Sequence, residues 1–512
     1  TDYDGIDRVP AHPAVLFGHH FSSIAGAGPI VGPIVAALAF GWAMPLAWVL
    51  LGAIFIGGVH DFSALIASVR NRARSIADIA RESLSPLAYC LLMLFMWLAL
   101  VYVLAVFTDL TAMTFSQNGG VATSSVLFVG LALAFGFSVY RLRVPVMPAS
   151  LLFVPLVFVC TWVGQLMPIP ADALASLVGW QPGRIWSLVL IVYCLVASVT
   201  PVWILLQPRD YLSSYLLYAS VAAGLVGILF GGFELHFPAF ITWNAAGVGP
   251  LFPILFITVA CGACSGFHAL VASGTSSKQI DKESHARAVG YGAMLVEGLV
   301  AVIALTTVMM VSSSDSLRGQ QPTVIYANGV SRFAAVVGIP PKIGFAFGLL
   351  ALSTFILTTL DTATRLGRYI FEEFFQLRRG WSRYFATVAT LALPLVFALV
   401  DLKDAQGHPL PAWKAIWPVF GATNQLLAGL TLLVLVVWVR RLGKPIGFLV
   451  LPLVFMTTAT LYALVLLVRQ YQLSLIGVIA MVLLLLAILL IIESARTLTP
   501  FHANHRSWTK YR

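Results

Sequence analysis

Gly18-His19-His20-Phe21-Ser22-Ser23-Ile24-Ala25-Gly26-Ala27-Gly28-Pro29-Ile30-Val31-Gly32-Pro33 lies inside an apolar run, 14–42. About 20 such residues suffice to cross a bilayer. Between Gly26 and Pro33, however, the run carries three glycines and two prolines, and both types weaken a helix interior. In hydrocarbon, unwound backbone frees N–H and C=O groups that must be buried in protein or line a wet cavity. The run is therefore expected to unwind over 26–33 and to form part of a site near the midplane, as discontinuous transporter helices do. The other reading is a kinked helix whose small residues allow tight packing.

A second run, 253–274, holds Cys261-Gly262-Ala263-Cys264-Ser265-Gly266-Phe267-His268 and continues to Ser273-Gly274-Thr275-Ser276-Ser277. It follows seven runs after the first, so the two cross in opposite senses, as an inverted repeat requires. The spacing Gly18-x-His20-x5-Gly26 returns as Gly266-x-His268-x5-Gly274. The histidines are still not expected to be equivalent, since His20 precedes its break and His268 lies at or after its own.

The whole chain shares this character. Its 512 residues are 60% hydrophobic and 10% charged, with mean hydropathy +0.93. A soluble domain is about 25% charged, so a cytosolic enzyme, a disordered chain and a secreted disulfide scaffold are all excluded. Fourteen apolar runs are expected to span: 14–42, 45–70, 86–113, 124–142, 148–167, 185–208, 214–231, 253–274, 288–310, 343–374, 384–400, 415–441, 445–468 and 473–495. They do not alternate as barrel strands do. The fold class is an all-α polytopic membrane protein, expected as one domain over 1–512. With alternating connections, 23 of the 30 Lys+Arg fall on one side of the membrane, leaving seven on the other. By the positive-inside rule both ends are cytoplasmic, so the net charge of +10 reflects orientation and a lipid bilayer, not nucleic acid. The amphipathic basic segment 365–383 is expected to carry its helix to the cytoplasmic surface. The chain begins at Thr1, which predicts further residues upstream.

Candidate site residues follow from what is costly in a membrane. Ionisable groups there are rare and mark function. His19 and His20 suggest proton handling or substrate binding, against the plainer reading of interfacial histidines. Glu297 lies in GAMLVEGLVAVIAL (292–305) with no basic residue one turn away, and reads as a bare carboxylate for coupling or as a structural polar group. Asp361 has Arg365 four residues on, so a helical ion pair is its default. Asn424-Gln425 are expected either to bind substrate or to join helices. The broken runs contribute Ser22, Ser23, Gly26, Gly28, Gly32, Ser265, Gly266 and His268 as substrate-binding candidates, with His20 and Asn424. The coupling candidates are Glu297, His19 and Asp361. All five cysteines sit in apolar runs, and Cys261-x-x-Cys264 reads as small packing residues. No nucleotide or hydrolase motif and no histidine pair at metal-ligand spacing occurs, so neither cofactor nor metal is expected.

These stretches, LFGHHFSSIAGAGPIVGPIVAALAFGW (16–42), PVWILLQPRDYLSSYL (201–216), ITVACGACSGFHALVASGTSSK (257–278), GYGAMLVEGLVAVIAL (290–305), TTLDTATRLGRY (358–369) and WPVFGATNQLLAGL (417–430), closely resemble the carbon starvation protein A family. They cover the chain in order to about residue 441, with further helices at 445–495. The resemblance implies a transporter of the bacterial inner membrane linked to peptide uptake in starvation, with some relatives resembling pyruvate–proton symporters. It implies a leucine-transporter-like fold in the amino acid–polyamine–organocation superfamily. The first and eighth spans would be the broken pair, with two extra helices between the repeats. The leading expectation is thus a non-enzymatic secondary transporter. It would take a peptide or a small carboxylate such as pyruvate, coupled to protons or sodium. The rivals are a membrane enzyme using His19, His20 and His268, possibly with a metal, and a starvation sensor that binds without flux.

Overall fold

The computed structural model describes residues 8–81, 85–170, 175–176, 179–312, 316–377, 380–400 and 411–498. Several of the counted basic residues (Arg378, Arg379, Lys403, Arg506, Lys510 and Arg512) lie outside the described residues. Thirteen helices among the described residues are long and apolar enough to cross a membrane. They are the first span (Pro13–Phe40), second (Ala43–Arg70), third (Pro86–Gln117), fourth (Gly119–Arg141), fifth (Val146–Leu166), sixth (Pro182–Val199) and seventh (Leu206–Phe230). Then come the ninth (Glu283–Met309), tenth (Pro341–Phe374), eleventh (Ser382–Leu399), twelfth (Ala412–Arg441) and thirteenth (Gly447–Tyr471), and the fourteenth (Leu475–Leu498). The eighth is missing from that set because it is cut into pieces too short to qualify: Leu251–Thr258, then a helical stretch over 266–279. With it the described residues offer fourteen candidate crossings, the number read from the sequence.

The spans form two inverted repeats. The third and tenth pack along one another at the centre, and the sixth packs on the eleventh. The first packs on the seventh as the eighth packs on the twelfth, and the seventh meets the tenth as the twelfth meets the third. The repeats are therefore spans one, two, three, six and seven against eight to twelve. The two extra helices were expected between the repeats. They are instead the fourth–fifth hairpin, inserted within the first repeat. Its fifth span faces outward, with Leu151 and Leu152 exposed as lipid-facing residues would be. Short helices outside the spans obey the same symmetry: Ile76–Arg81 follows the second span and Pro322–Ala335 follows the ninth.

Not every arginine counted as a loop charge lies in a loop. Arg209, Arg365 and Arg368 are 1%, 1% and 4% exposed. The charge asymmetry survives their removal, but Arg209 belongs to the core.

Candidate functional site

Both breaks are real, and the first is narrower than the sequence suggests. The first span is helical to Ile24, turns over 25–27 and resumes at Gly28. Pro29 and Pro33 lie inside the resumed helix, which corrects the expectation of unwinding through Pro33. Pro29 sits in the first turn, where no intrahelical N–H bond is needed and its fixed φ suits the helix. The eighth span is non-helical over 259–265.

The two breaks meet. A Cβ on Gly32 would lie 2.5 Å from the Thr258 carbonyl oxygen, and one on Gly28 would collide with Cys261. Gly262 in turn faces Pro29, its Cβ position 3.6 Å from the Pro29 Cα. These glycines let two backbones touch. Gly32→Ala is expected to cost about 1–3 kcal/mol as overpacking. The thermal midpoint of the solubilised protein should fall, and an unchanged midpoint would show that the breaks do not press together.

The twelfth span pins the second break. Asn424 Oδ1 accepts from the Phe267 N–H (2.9 Å) and from Ser265 Oγ (3.1 Å), while Asn424 Nδ2 donates to Cys261 Sγ at 3.2 Å. A side chain from a neighbouring helix thus satisfies a backbone donor that the break sets free. Gly266 makes room for this, since a Cβ there would stand 2.5 Å from the Asn424 carbonyl oxygen. Ser22 and Ser23 are tied similarly. Ser22 Oγ donates to the Asp210 carbonyl (3.2 Å), and Ser23 Oγ lies 3.1 Å from Thr362 Oγ1. Gly26 is pressed between Phe107 and Thr359, each 2.7 Å from its Cβ position.

Between the breaks and the face carrying the first span's N-terminus lies a layer of fully buried charge. His268 Nδ1 is 2.8 Å from Asp61 Oδ2, and its Nε2 is 3.1 Å from Glu297 Oε2. Asp61 also receives His60 Nδ1, at 2.7 Å. Glu297 is therefore not bare: its partner comes from another span, where a search along its own helix could not find it. A second cluster joins His19 Nδ1 to Asp210 Oδ2 at 2.6 Å. Arg209 reaches Asp210 Oδ1 at 2.9 Å and ion-pairs with Asp361, which also accepts from Tyr193 OH at 2.8 Å. The expected Asp361–Arg365 pair does not form. Arg365 points away and donates to the carbonyls of Ala197 and Thr200, at 2.8 and 2.6 Å. His20 stands between the clusters, its Nδ1 2.8 Å from Ser276 Oγ.

The sequence thus yielded His19, His20, His268, Glu297 and Asp361 but not Asp61, Arg209, Asp210 or Tyr193. Arg209-Asp210 was the visible clue, an adjacent pair of opposite charges before an apolar run. Widened π-helical turns at Ala53–Gly57, Ala272–Ser276 and Arg287–Gly292 adjoin Asp61, His268 and Glu297. Such turns re-aim nearby side chains and often mark functional sites. Composition does not reveal them.

On the opposite face a vestibule of about 490 Å³ opens between Val35, Ala39, Thr242, Gln321, Trp413 and Lys414.

The carbon starvation protein CstA family model matches residues 1–323 and 310–463. The chain belongs to this family. It is 33% identical to the peptide transporter CstA of Escherichia coli (strain K12), over 86% of this chain and 71% of that protein. Against the peptide transporter CstA of Campylobacter jejuni subsp. jejuni it is 30% identical, covering 90% and 74%. It is 29% identical to the pyruvate/proton symporter BtsT of Escherichia coli (strain K12), covering 90% and 75%. Among solved structures it resembles MhsT in complex with L-phenylalanine, with a TM-score of 0.53 at 14% identity over 96% of this chain and all of that one. That likeness fits the leucine-transporter-like arrangement of repeats already drawn from packing. These relatives are transporters, and the enzyme and sensor readings gain no support.

Proposed function

We propose that this CstA-family protein is a proton-coupled secondary transporter importing a small carboxylate-bearing solute, a short peptide or pyruvate. The observation that carries the reading is the meeting of two broken spans above a layer of buried, paired charge. Helices resume at Gly28 and at Gly266. A helix N-terminus carries a partial positive charge, which favours a carboxylate. The solute enters from the vestibule, binds where the breaks part, and leaves past the charge layer. The face with more basic residues is cytoplasmic, and the membrane is the bacterial inner membrane.

In this reading Gly26, Gly28, Gly32, Ser265 and Gly266 shape the binding backbone, with Ser22 and Ser23 holding it in place. Asn424 positions the second break. His20 and His268 face the solute from the cytoplasmic half, and Glu297 belongs to the coupling group with His268 and Asp61. The test is uptake into proteoliposomes of labelled pyruvate and labelled dialanine, under imposed pH and sodium gradients. Accumulation of either driven by an inward proton gradient is the expected result. Accumulation that follows sodium alone would overturn the coupling ion, and binding of both solutes without flux would overturn transport.

A further inference from the structure

Resting on proton-coupled uptake as read above, we propose that the chain carries two protons per cycle, one at Asp61–His268–Glu297 and a second at His19–Asp210. The argument is one of charge. A buried charge without a partner is expensive, and both clusters are buried with 0–1% exposure. In the first cluster one imidazole faces two carboxylates. With His268 protonated, one negative charge remains until a further proton arrives on Glu297 or His60. In the second, the guanidinium of Arg209 is permanently charged and lies between Asp210 and Asp361. It balances one of them. The remaining charge is balanced only while the His19–Asp210 pair holds a proton.

The groups around His19 leave that balance intact. The seventh span presents Arg209, Asp210 and Tyr211. Tyr211 is occupied with Ser150 and Tyr215, at 2.7 and 2.8 Å. The tenth contributes Asp361, and the sixth contributes Tyr193, which donates to Asp361. From the eighth come His268, already paired, and Gln279, whose Nε2 donates to His19 Nε2 (3.2 Å) and so leaves the pair's proton on the Nδ1–Asp210 side. The second and ninth spans add only Asp61, its neighbour His60 and Glu297, all of the other cluster. Of the turn over 287–292, Arg287 is exposed and Tyr291 donates to the Ile54 carbonyl (3.0 Å). His20 is the nearest ionisable neighbour on the same helix and is held by Ser276. The clusters share no residue, so each can load and release on its own.

The two stoichiometries differ in charge moved. Pyruvate is a monoanion, so one proton makes its uptake electroneutral and two make it carry one positive charge inward. In proteoliposomes clamped with valinomycin at equal pH, wild-type pyruvate accumulation is expected to rise tenfold per about 59 mV of inside-negative potential. Where only dialanine moves, two protons give a hundredfold over the same step and one gives tenfold. Asp210→Asn leaves Arg209–Asp361 balanced with no exchangeable proton. Its pyruvate uptake should remain driven by a pH gradient but ignore the potential. Wild-type uptake that follows pH and ignores potential would overturn the second proton, without recourse to any variant. Asp210→Asn with wild-type potential dependence would overturn its assignment to His19–Asp210. No uptake of either solute under any gradient would instead fell the transport reading, and this proposal with it.

Discussion

At a pH difference of one unit, Glu297→Gln is expected to accumulate about tenfold less substrate than the wild type at steady state. One proton coupled across one pH unit supplies about 1.4 kcal/mol, a factor of ten. Glutamine keeps the shape of the side chain and can still hydrogen-bond, but it cannot titrate. It leaves His268 facing Asp61 alone, a balanced pair at 2.8 Å with no reason to take up a further proton. Counterflow at equal pH tests the rest of the cycle, because exchange needs the binding site and the conformational change but no net proton movement. The expected pattern is preserved counterflow with reduced pH-driven accumulation. A variant that accumulates with wild-type dependence on outside pH would show Glu297 to be a structural strut, and the role would pass to His20.

How much of this could be read beforehand depends on the range of the interaction. Hydropathy runs about 20 residues at a time, and so the series of apolar helices was legible. Glycine and proline act on the local backbone, and so both breaks were legible too. The extent of the first break was not. Pro29 and Pro33 disfavour a helix in general, but at the start of the resumed helix Pro29 fits and the packing of Gly32 on Thr258 holds the rest. Partners across the bundle lay furthest out of reach. Glu297 and His268 are 29 positions apart, and Arg209 and Asp361 are 152 apart. A search along one helix assigns Asp361 to Arg365, four residues away. The fold assigns it to Arg209, because Arg365 is drawn to the carbonyls at the end of the sixth span. Asn424 shows the same limit: the sequence offers a polar group in a span, and only the neighbouring break explains what it does.

Arg209→Met is expected to destabilise the protein by about 3–5 kcal/mol, the usual result of removing one partner from a buried ion pair. Methionine fills much of the same volume, so the loss is electrostatic more than steric. What remains is Asp210 beside Asp361 on adjacent spans, two buried carboxylates without their shared cation. Tyr193 still donates to Asp361 and His19 still meets Asp210, but neither supplies a permanent positive charge. The measurement is the thermal midpoint in detergent, read beside the amount of protein inserted in the membrane. A second substitution separates the electrostatic account from lost packing. In Arg209→Met with Asp361→Asn, the only remaining carboxylate of the cluster is Asp210, opposite His19, and charge balance returns. The double variant should recover most of the lost stability, as contact through a shared network implies non-additive effects. If the second change instead adds its own penalty to the first, the guanidinium supports the seventh and tenth spans by packing, and the cluster is not held together by charge.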